Sequence, residues 1–155
     1  MFENLIEITA KFLTKIAAFL LIILLIIIFV DVFSRSILSK PILWTQEIAL
    51  ISFIWSVLLG AVIAVKEEEH FYVNIFSKLS KRMLFRMKIL TNSLIMLFSI
   101  FIFKEGVVLA IMGLKRFSRP SGIPMVYIFG ALPVSGILMV LFSANNFIKL
   151  FKEDK

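Results

Sequence analysis

The chain contains no cysteine and only one histidine among its 155 residues. The absence of cysteine excludes thiolate nucleophiles, disulfide exchange and zinc–thiolate sites. The single histidine, His70, cannot supply the two imidazoles that a bis-histidine haem or a two-histidine metal site requires. We therefore expect no cofactor in this chain.

Acidic residues are also scarce, with 10 Asp and Glu against 17 Lys and Arg, for a formal net charge of +7. Apolar residues make up 61% of the chain, whereas soluble domains contain about 45–50%. This composition predicts an integral membrane protein with no room for a soluble catalytic domain. Anionic lipid headgroups and orientation in the membrane explain the basic excess better than nucleic acid does.

Four apolar segments are long enough to cross a bilayer, which requires about 20 residues each. They cover about 16–33, 48–65, 89–109 and 125–148. The first has no small-residue cleavage site after it, so we interpret it as a retained span rather than a signal peptide. The sequence predicts one all-α membrane domain over residues 1–155, with four transmembrane helices in an up-and-down arrangement.

Two further stretches, at about 2–14 and 72–84, have apolar residues at helical spacing with charged and polar residues between them. This pattern predicts short interfacial helices lying in the headgroup plane. For the second stretch, a hairpin turn with scattered apolar residues is the alternative.

Lys and Arg are distributed unequally between the two sides of the predicted membrane domain. Eleven lie before the first span, between the second and third, or after the fourth, and six lie on the other side. Because cytoplasmic segments are enriched in Lys and Arg, both termini are predicted to be cytoplasmic.

Charged residues near the membrane are the first candidates for function. Asp31 and Arg35 are four residues apart, so a structural ion pair is favoured over an ion-coupling carboxylate. Glu47 is expected in the first turn of the second span, where a carboxylate stabilises the positive end of the helix dipole. Lys104 is expected to reach an interface by snorkelling. No span carries an acidic residue in its middle, which favours an accessory role over transport by this chain alone.

The two tryptophans and the histidine have competing interpretations. Trp44 is expected at the outer interface, either as an aromatic anchor or as a partner contact. Trp55 lies inside the second span, where its indole N–H requires an acceptor on another helix. His70 follows that span, and a structural hydrogen bond to a loop carbonyl is favoured over proton relay.

A stripe of small side chains runs along the second span at intervals of four residues, formed by Ser52, Ser56, Gly60 and Ala64. Small residues allow helix backbones to approach closely in a membrane. Either another helix of this chain or a partner subunit is expected to pack there.

Several of these residues occur in an ordered pattern: Asp31 to Arg35, Trp44 to Glu47, Phe53 to Trp55, Gly60, Ala61, Ala64, Lys66 and His70, then Gly122 to Pro124, Pro133 and Gly136. The pattern, over roughly residues 16–148, resembles the small membrane subunit of tripartite ATP-independent periplasmic (TRAP) transporters. One departure is the run Glu67 to Glu69 before His70, where the family has a less acidic turn, often containing glycine.

The resemblance implies an accessory subunit in the bacterial inner membrane that braces a large transport subunit. In such systems a periplasmic binding protein captures an organic acid, typically a C4-dicarboxylate or a sialic acid. The large subunit then imports it with sodium by an elevator-like motion. This implies no catalytic, substrate-binding or metal-binding residue in the small subunit, and as partners the large subunit, the binding protein and membrane lipids, but no nucleic acid.

Two alternatives come from other functional classes, a stand-alone small transporter and a membrane enzyme. A small multidrug exporter needs a carboxylate within its first span, and residues 16–30 contain none. A glutathione-transferring membrane enzyme needs clustered arginines. The arginines here are divided between the two faces of the membrane.

Overall fold

The structure is a computed structural model that describes residues 2–37, 42–75, 81–119 and 121–153. It contains the helices α1 (Phe2–Ile37), α2 (Leu43–Ile75), α3 (Lys81–Leu114), α4 (Val126–Phe129) and α5 (Ala131–Glu153). All of these helices except α4 are long and apolar enough to cross a membrane. The predicted all-α membrane fold with four spans is therefore confirmed.

The first three helices are longer than the apolar segments predicted. Each has 33 to 36 residues and a length of about 50 Å, whereas the hydrocarbon core is about 30 Å thick. Residues 2–14, expected to form a separate interfacial helix, are instead the first turns of α1. No Gly or Pro occurs in α1 or over residues 61–75, so no helix breaker stops either helix where its hydropathy falls.

The second interfacial helix was expected at 72–84. Residues 72–75 are the end of α2 and residues 81–84 are the start of α3. Both ends of the expected segment therefore belong to the long helices. Residues 76–80 lie outside the described residues.

The long helices lie side by side in the order α1, α2, α5, α3, with the main contacts between neighbours in that row. In the most apolar window of α1, and likewise of α3, only 11% of residues are buried, compared with 28% in α2 and 39% in α5. The row therefore has α2 and α5 at its centre, and α1 and α3 expose most of their apolar surface.

An apolar cluster joins α1, α2 and α5 on the side of the membrane where α1 begins and α2 and α5 end. Its buried members are Ala10, Leu13, Ala17, Leu59, Val62, Met139 and Phe142. The alanines on α1 allow that helix to lie close to α2.

Glycines bring α3 and α5 into backbone contact. A Cβ atom added at Gly106 would lie 2.8 Å from the backbone nitrogen of Pro133, and one added at Gly136 would lie 2.8 Å from the Cα of Phe103. Such distances are too short for any side chain. Only glycine fits at these two positions with the backbones as they are.

A buried polar pair reinforces the same contact. Asn92 Nδ2 donates to the backbone oxygen of Ser143 at 3.0 Å, and Ser143 Oγ donates to Asn92 Oδ1 at 2.8 Å. Both side chains are buried, and each satisfies the polar group of the other away from water. The α3–α5 contact thus combines close backbone approach with specific hydrogen bonds.

Between α3 and α4 the chain forms a short hairpin, described over residues 115–119 and 121–125. The Met125 N–H donates to the Arg116 oxygen at 2.9 Å, and the Ser118 N–H donates to the Ile123 oxygen at 2.9 Å. Gly122 turns the chain with a φ of 70°, a conformation that glycine adopts without steric cost. The hairpin leads directly into α4.

We predict that Gly136→Ala destabilises the protein by about 1–3 kcal/mol, because its Cβ would overlap the backbone of α3. Gly60→Ala is the matched control, since a Cβ at Gly60 meets no atom within 4 Å. Thermal unfolding of both variants in the same detergent measures the difference. Equal midpoints for the two variants would contradict close packing at Gly136.

Candidate functional site

Asp31 links the end of α1 to the start of α2. Its Oδ2 lies 2.9 Å from Arg35 Nη2, so the ion pair expected from their spacing is formed. Its Oδ1 lies 2.8 Å from Thr45 Oγ1, which is also 2.6 Å from the Ile42 oxygen. A hydroxyl has one proton and donates to one of these acceptors at a time. Thr45 is almost fully buried, so the contact fastens α1 to α2, a link that the spacing of charges alone did not reveal.

Glu47 holds the hairpin rather than capping α2. Because α2 begins at Leu43, Glu47 lies beyond the first turn, which contains no acidic residue, and the expected capping role is wrong. The Ser121 hydroxyl donates to Glu47 Oε2 instead, and the Ile123 N–H donates to Ser121 Oγ at 3.3 Å. Glu47 Oε1 is buried and has no hydrogen-bond partner in the described part of the chain.

Trp55 connects α2 to α4. Its indole Nε1–H donates to the backbone oxygen of Tyr127 at 2.7 Å, which confirms that this N–H finds its acceptor on another helix. The short helix α4 is therefore held against α2, while its first residue also contacts Gly113 of α3. The acceptor was not predictable because α4 has no signal of its own within the fourth apolar segment.

Trp44 and His70 give no evidence of a shared site. The side chain of Trp44 is half-exposed in the first turn of α2, and both interpretations of it stay predictions. His70 was expected in a loop, but its backbone is part of α2, because the helix continues to Ile75. The side chain of His70 lies outside the described residues, and so does the hydrogen bond expected for it.

The stripe of small residues on α2 is divided between two environments. Ser52 and Ser56 are buried within this chain, at 3% and 4% exposure. Farther along, Gly60 has open space around it and Ala64 is exposed. The two residues share their side of the helix with half-exposed Phe53 and Val57. We call these four residues, Phe53, Val57, Gly60 and Ala64, the open α2 face.

On the side of the membrane opposite the hairpin, Asn146 joins α5 to α2. Its Nδ2 donates to the backbone oxygen of Val65 at 2.9 Å. This link and the Asn92–Ser143 pair were missing from the sequence predictions, although asparagines inside apolar segments were a visible signal for them. Within the described residues, no group of three or more His, Cys, Asp or Glu could hold a metal ion.

The arrangement therefore joins helices to one another. Asp31, Glu47 and Trp55 each face a different neighbour: α1 contacts α2 through Asp31, the hairpin contacts Glu47, and α4 contacts Trp55. Within the predicted stripe of small residues, Gly60 and Ala64 of the open α2 face are the two that the described part of this chain leaves uncovered.

We predict that Trp55→Phe lowers the free energy of unfolding by about 1 kcal/mol, because it removes the indole donor and leaves the Tyr127 oxygen unpaired. Trp44→Phe is the control, since it makes the same chemical change at a half-exposed position. Thermal unfolding in detergent and limited proteolysis of the hairpin compare the two variants. A loss of stability in Trp44→Phe as large as in Trp55→Phe would contradict the assigned role of Trp55.

Comparison with known proteins identifies the chain. A family model described as "Tripartite ATP-independent periplasmic transporters, DctQ component" matches residues 24–153. The sialic acid TRAP transporter permease protein SiaT of Haemophilus influenzae (strain 86-028NP) is 28% identical over 124 residues, which cover 74% of this chain and 19% of that protein. The chain thus spans about a fifth of the length of this curated relative. The chain belongs to the DctQ component family of TRAP transporters, which is a component of a membrane transporter and not an enzyme.

Proposed function

We propose that this chain braces the large membrane subunit of a sodium-coupled TRAP transporter that imports an organic acid of the C4-dicarboxylate or sialic acid type. The observation that carries the proposal is the family match over residues 24–153, which covers the last part of α1 and the whole of α2, α3 and α5. In this role the chain contributes a fixed membrane platform and leaves substrate binding to its partners.

The relative supports a role beside a larger membrane protein. In the Haemophilus permease, the segment similar to this chain occupies only 19% of the protein. Most of that permease therefore lies outside the matched segment. We infer that this chain works next to a large transport subunit, as its family membership implies. The name of the relative favours a sialic acid among the candidate substrates.

The helices support an accessory role. Secondary transporters usually bind substrate at the middle of the membrane, between discontinuous helices whose free ends face the substrate. In this chain each of the four long helices runs without interruption from its first to its last residue. Asn92, Ser143 and Asn146, the polar side chains that connect neighbouring helices, have hydrogen-bond partners within this chain. These features suit a rigid platform.

The open α2 face is the surface we assign to the large subunit. Lipid gives no hydrophobic drive for helices to associate, so docking depends on close packing over small residues. Gly106 and Gly136 are already covered by this chain, whereas a Cβ atom added at Gly60 would meet no atom within 4 Å. A helix of the large subunit that lay over Gly60 and Ala64 would approach the backbone of α2 closely.

We further propose that the protein lies in the bacterial inner membrane with both termini in the cytoplasm. The charge asymmetry of eleven Lys and Arg against six supports this orientation. The hairpin at 115–125 would then face the periplasm, on the side of the substrate-binding protein.

We predict that Gly60→Leu still inserts and folds but no longer co-purifies with the large subunit. The leucine has space within this chain but would occupy the closest approach of the partner helix. Ala18→Leu, an enlargement by three carbons instead of four at an exposed position of α1, is the control and should co-purify as the wild type does. Normal co-purification of Gly60→Leu would place the docking surface elsewhere.

The orientation is tested by reporter fusions. We predict that a reporter at Lys155 and one inserted near Lys40 are found on opposite sides of the membrane, with the Lys155 reporter in the cytoplasm. The enzymatic activity of paired cytoplasmic and periplasmic reporters measures this directly. A periplasmic reporter at Lys155 would contradict the proposed orientation.

The transport proposal is tested by reconstituting this chain with the large subunit and the binding protein of its transporter. We expect uptake of a radiolabelled sialic acid or C4-dicarboxylate that requires an inward sodium gradient. Uptake of the same acid without sodium would contradict the coupling. Failure of both acids to be taken up by an otherwise intact complex would contradict the substrate class.

A further inference from the structure

One side of α3 faces away from the rest of the protein and carries a shallow apolar hollow. The buried residues of α3, including Asn92 and Ser99, lie on the opposite side of the helix from this hollow. The hollow is lined by Leu94, Leu97, Phe98, Ile100, Phe101 and Lys104. Lys104 is the one charged residue in this set.

The hollow has the length of one membrane leaflet. Leu94 and Lys104 are ten residues apart on a continuous helix, which is about 15 Å. Half of a hydrocarbon core about 30 Å thick is about the same distance. Lys104 lies at the end nearer the hairpin, because α3 continues from it to Leu114. The hollow therefore runs from the hairpin side of the membrane towards its middle.

The ammonium group of Lys104 has only a weak partner within the described chain. Its side chain is 78% exposed, and its Nζ lies 3.9 Å from Glu105 Oε1, which is too long for a hydrogen bond. An ammonium carries three donors. Next to hydrocarbon it is costly unless the side chain extends to the headgroups. An anionic acceptor at that level would complement the ammonium group of Lys104.

The side chains of this face distinguish a lipid from a protein partner. A partner helix packs best over small residues, such as Gly60 and Ala64 of the open α2 face. The hollow on α3 is formed instead by bulky side chains such as Phe98 and Phe101, which hold a helix backbone away. A flexible acyl chain fits between such side chains, and a phosphate complements the cation at the end of the hollow.

We propose that this face of α3 binds a phospholipid of the leaflet on the hairpin side, with its phosphate on Lys104 and one acyl chain along the hollow. The site is distinct from the open α2 face and does not depend on the proposed function. Lipid binding here would shield the exposed end of the row and fix the depth of α3 in the membrane.

The test is a titration of the purified full-length chain with phosphatidylglycerol, measured by native mass spectrometry. We expect Lys104→Met to weaken lipid binding about tenfold, the effect of losing one charge-assisted hydrogen bond. Lys104→Arg should bind within about twofold of the wild type, because it keeps a cationic donor. Lys115→Met, which removes an exposed charge of the hairpin, is the matched control and should also bind normally.

Two further measurements distinguish the loss of a lipid site at Lys104 from a general loss of folding or of positive charge. Glu105→Gln removes the competing carboxylate and should strengthen phosphatidylglycerol binding about two- to fivefold. A diacylglycerol with the same acyl chains but no phosphate should bind the wild type and Lys104→Met equally. Unchanged phosphatidylglycerol binding by Lys104→Met would overturn the proposal. If Lys104→Met bound phosphatidylglycerol normally but no longer co-purified with the large subunit, the proposal would also be overturned. This face of α3 would then be a protein interface.

Discussion

Helices inside a membrane gain nothing from the hydrophobic effect when they associate, and this constraint explains how the protein is held together. The α3–α5 contact meets it in two ways, with glycine backbones in contact at Gly106 and Gly136 and with the buried pair of Asn92 and Ser143. Helix α5 also contacts α2, because Asn146 donates to the backbone oxygen of Val65. The α3–α5 pair is therefore linked to the rest of the row through α2. Helix α1 contacts α2 through the Asp31–Thr45 hydrogen bond and through the apolar cluster.

On the side of the membrane where the hairpin lies, hydrogen bonds from α2 hold the chain between α3 and α5. Glu47 accepts a hydrogen bond from Ser121, and Trp55 donates to the Tyr127 oxygen, so the connection between α3 and α5 is attached to α2 at two depths. A connection that also contacts α2 prevents the α3–α5 pair from sliding along it. The chain thus has polar links towards both ends of its spans and apolar packing between them, an arrangement that suits the platform role proposed above.

Features that depend on local sequence were predictable, and features that depend on distant residues were not. The four spans, the Asp31–Arg35 pair and the need of Trp55 for an acceptor follow from hydropathy and spacing. The partner of Glu47 lies 74 residues away, and its expected position in a first turn failed because α2 begins before the apolar segment does. Hydropathy also could not show that α1 and α2 continue beyond the membrane, because helix ends depend on breakers that are missing there.

The stripe on α2 shows the same limit. Its four small residues look equivalent in sequence, yet the structure buries Ser52 and Ser56 and leaves Gly60 and Ala64 open. In the proposed role this chain supports transport without conducting it. The most direct measurement is sodium-driven uptake, in the presence of the binding protein, by vesicles that contain this chain alone, the large subunit alone or both. We expect full uptake only with both and none with this chain alone, and uptake by this chain alone would contradict the proposed role.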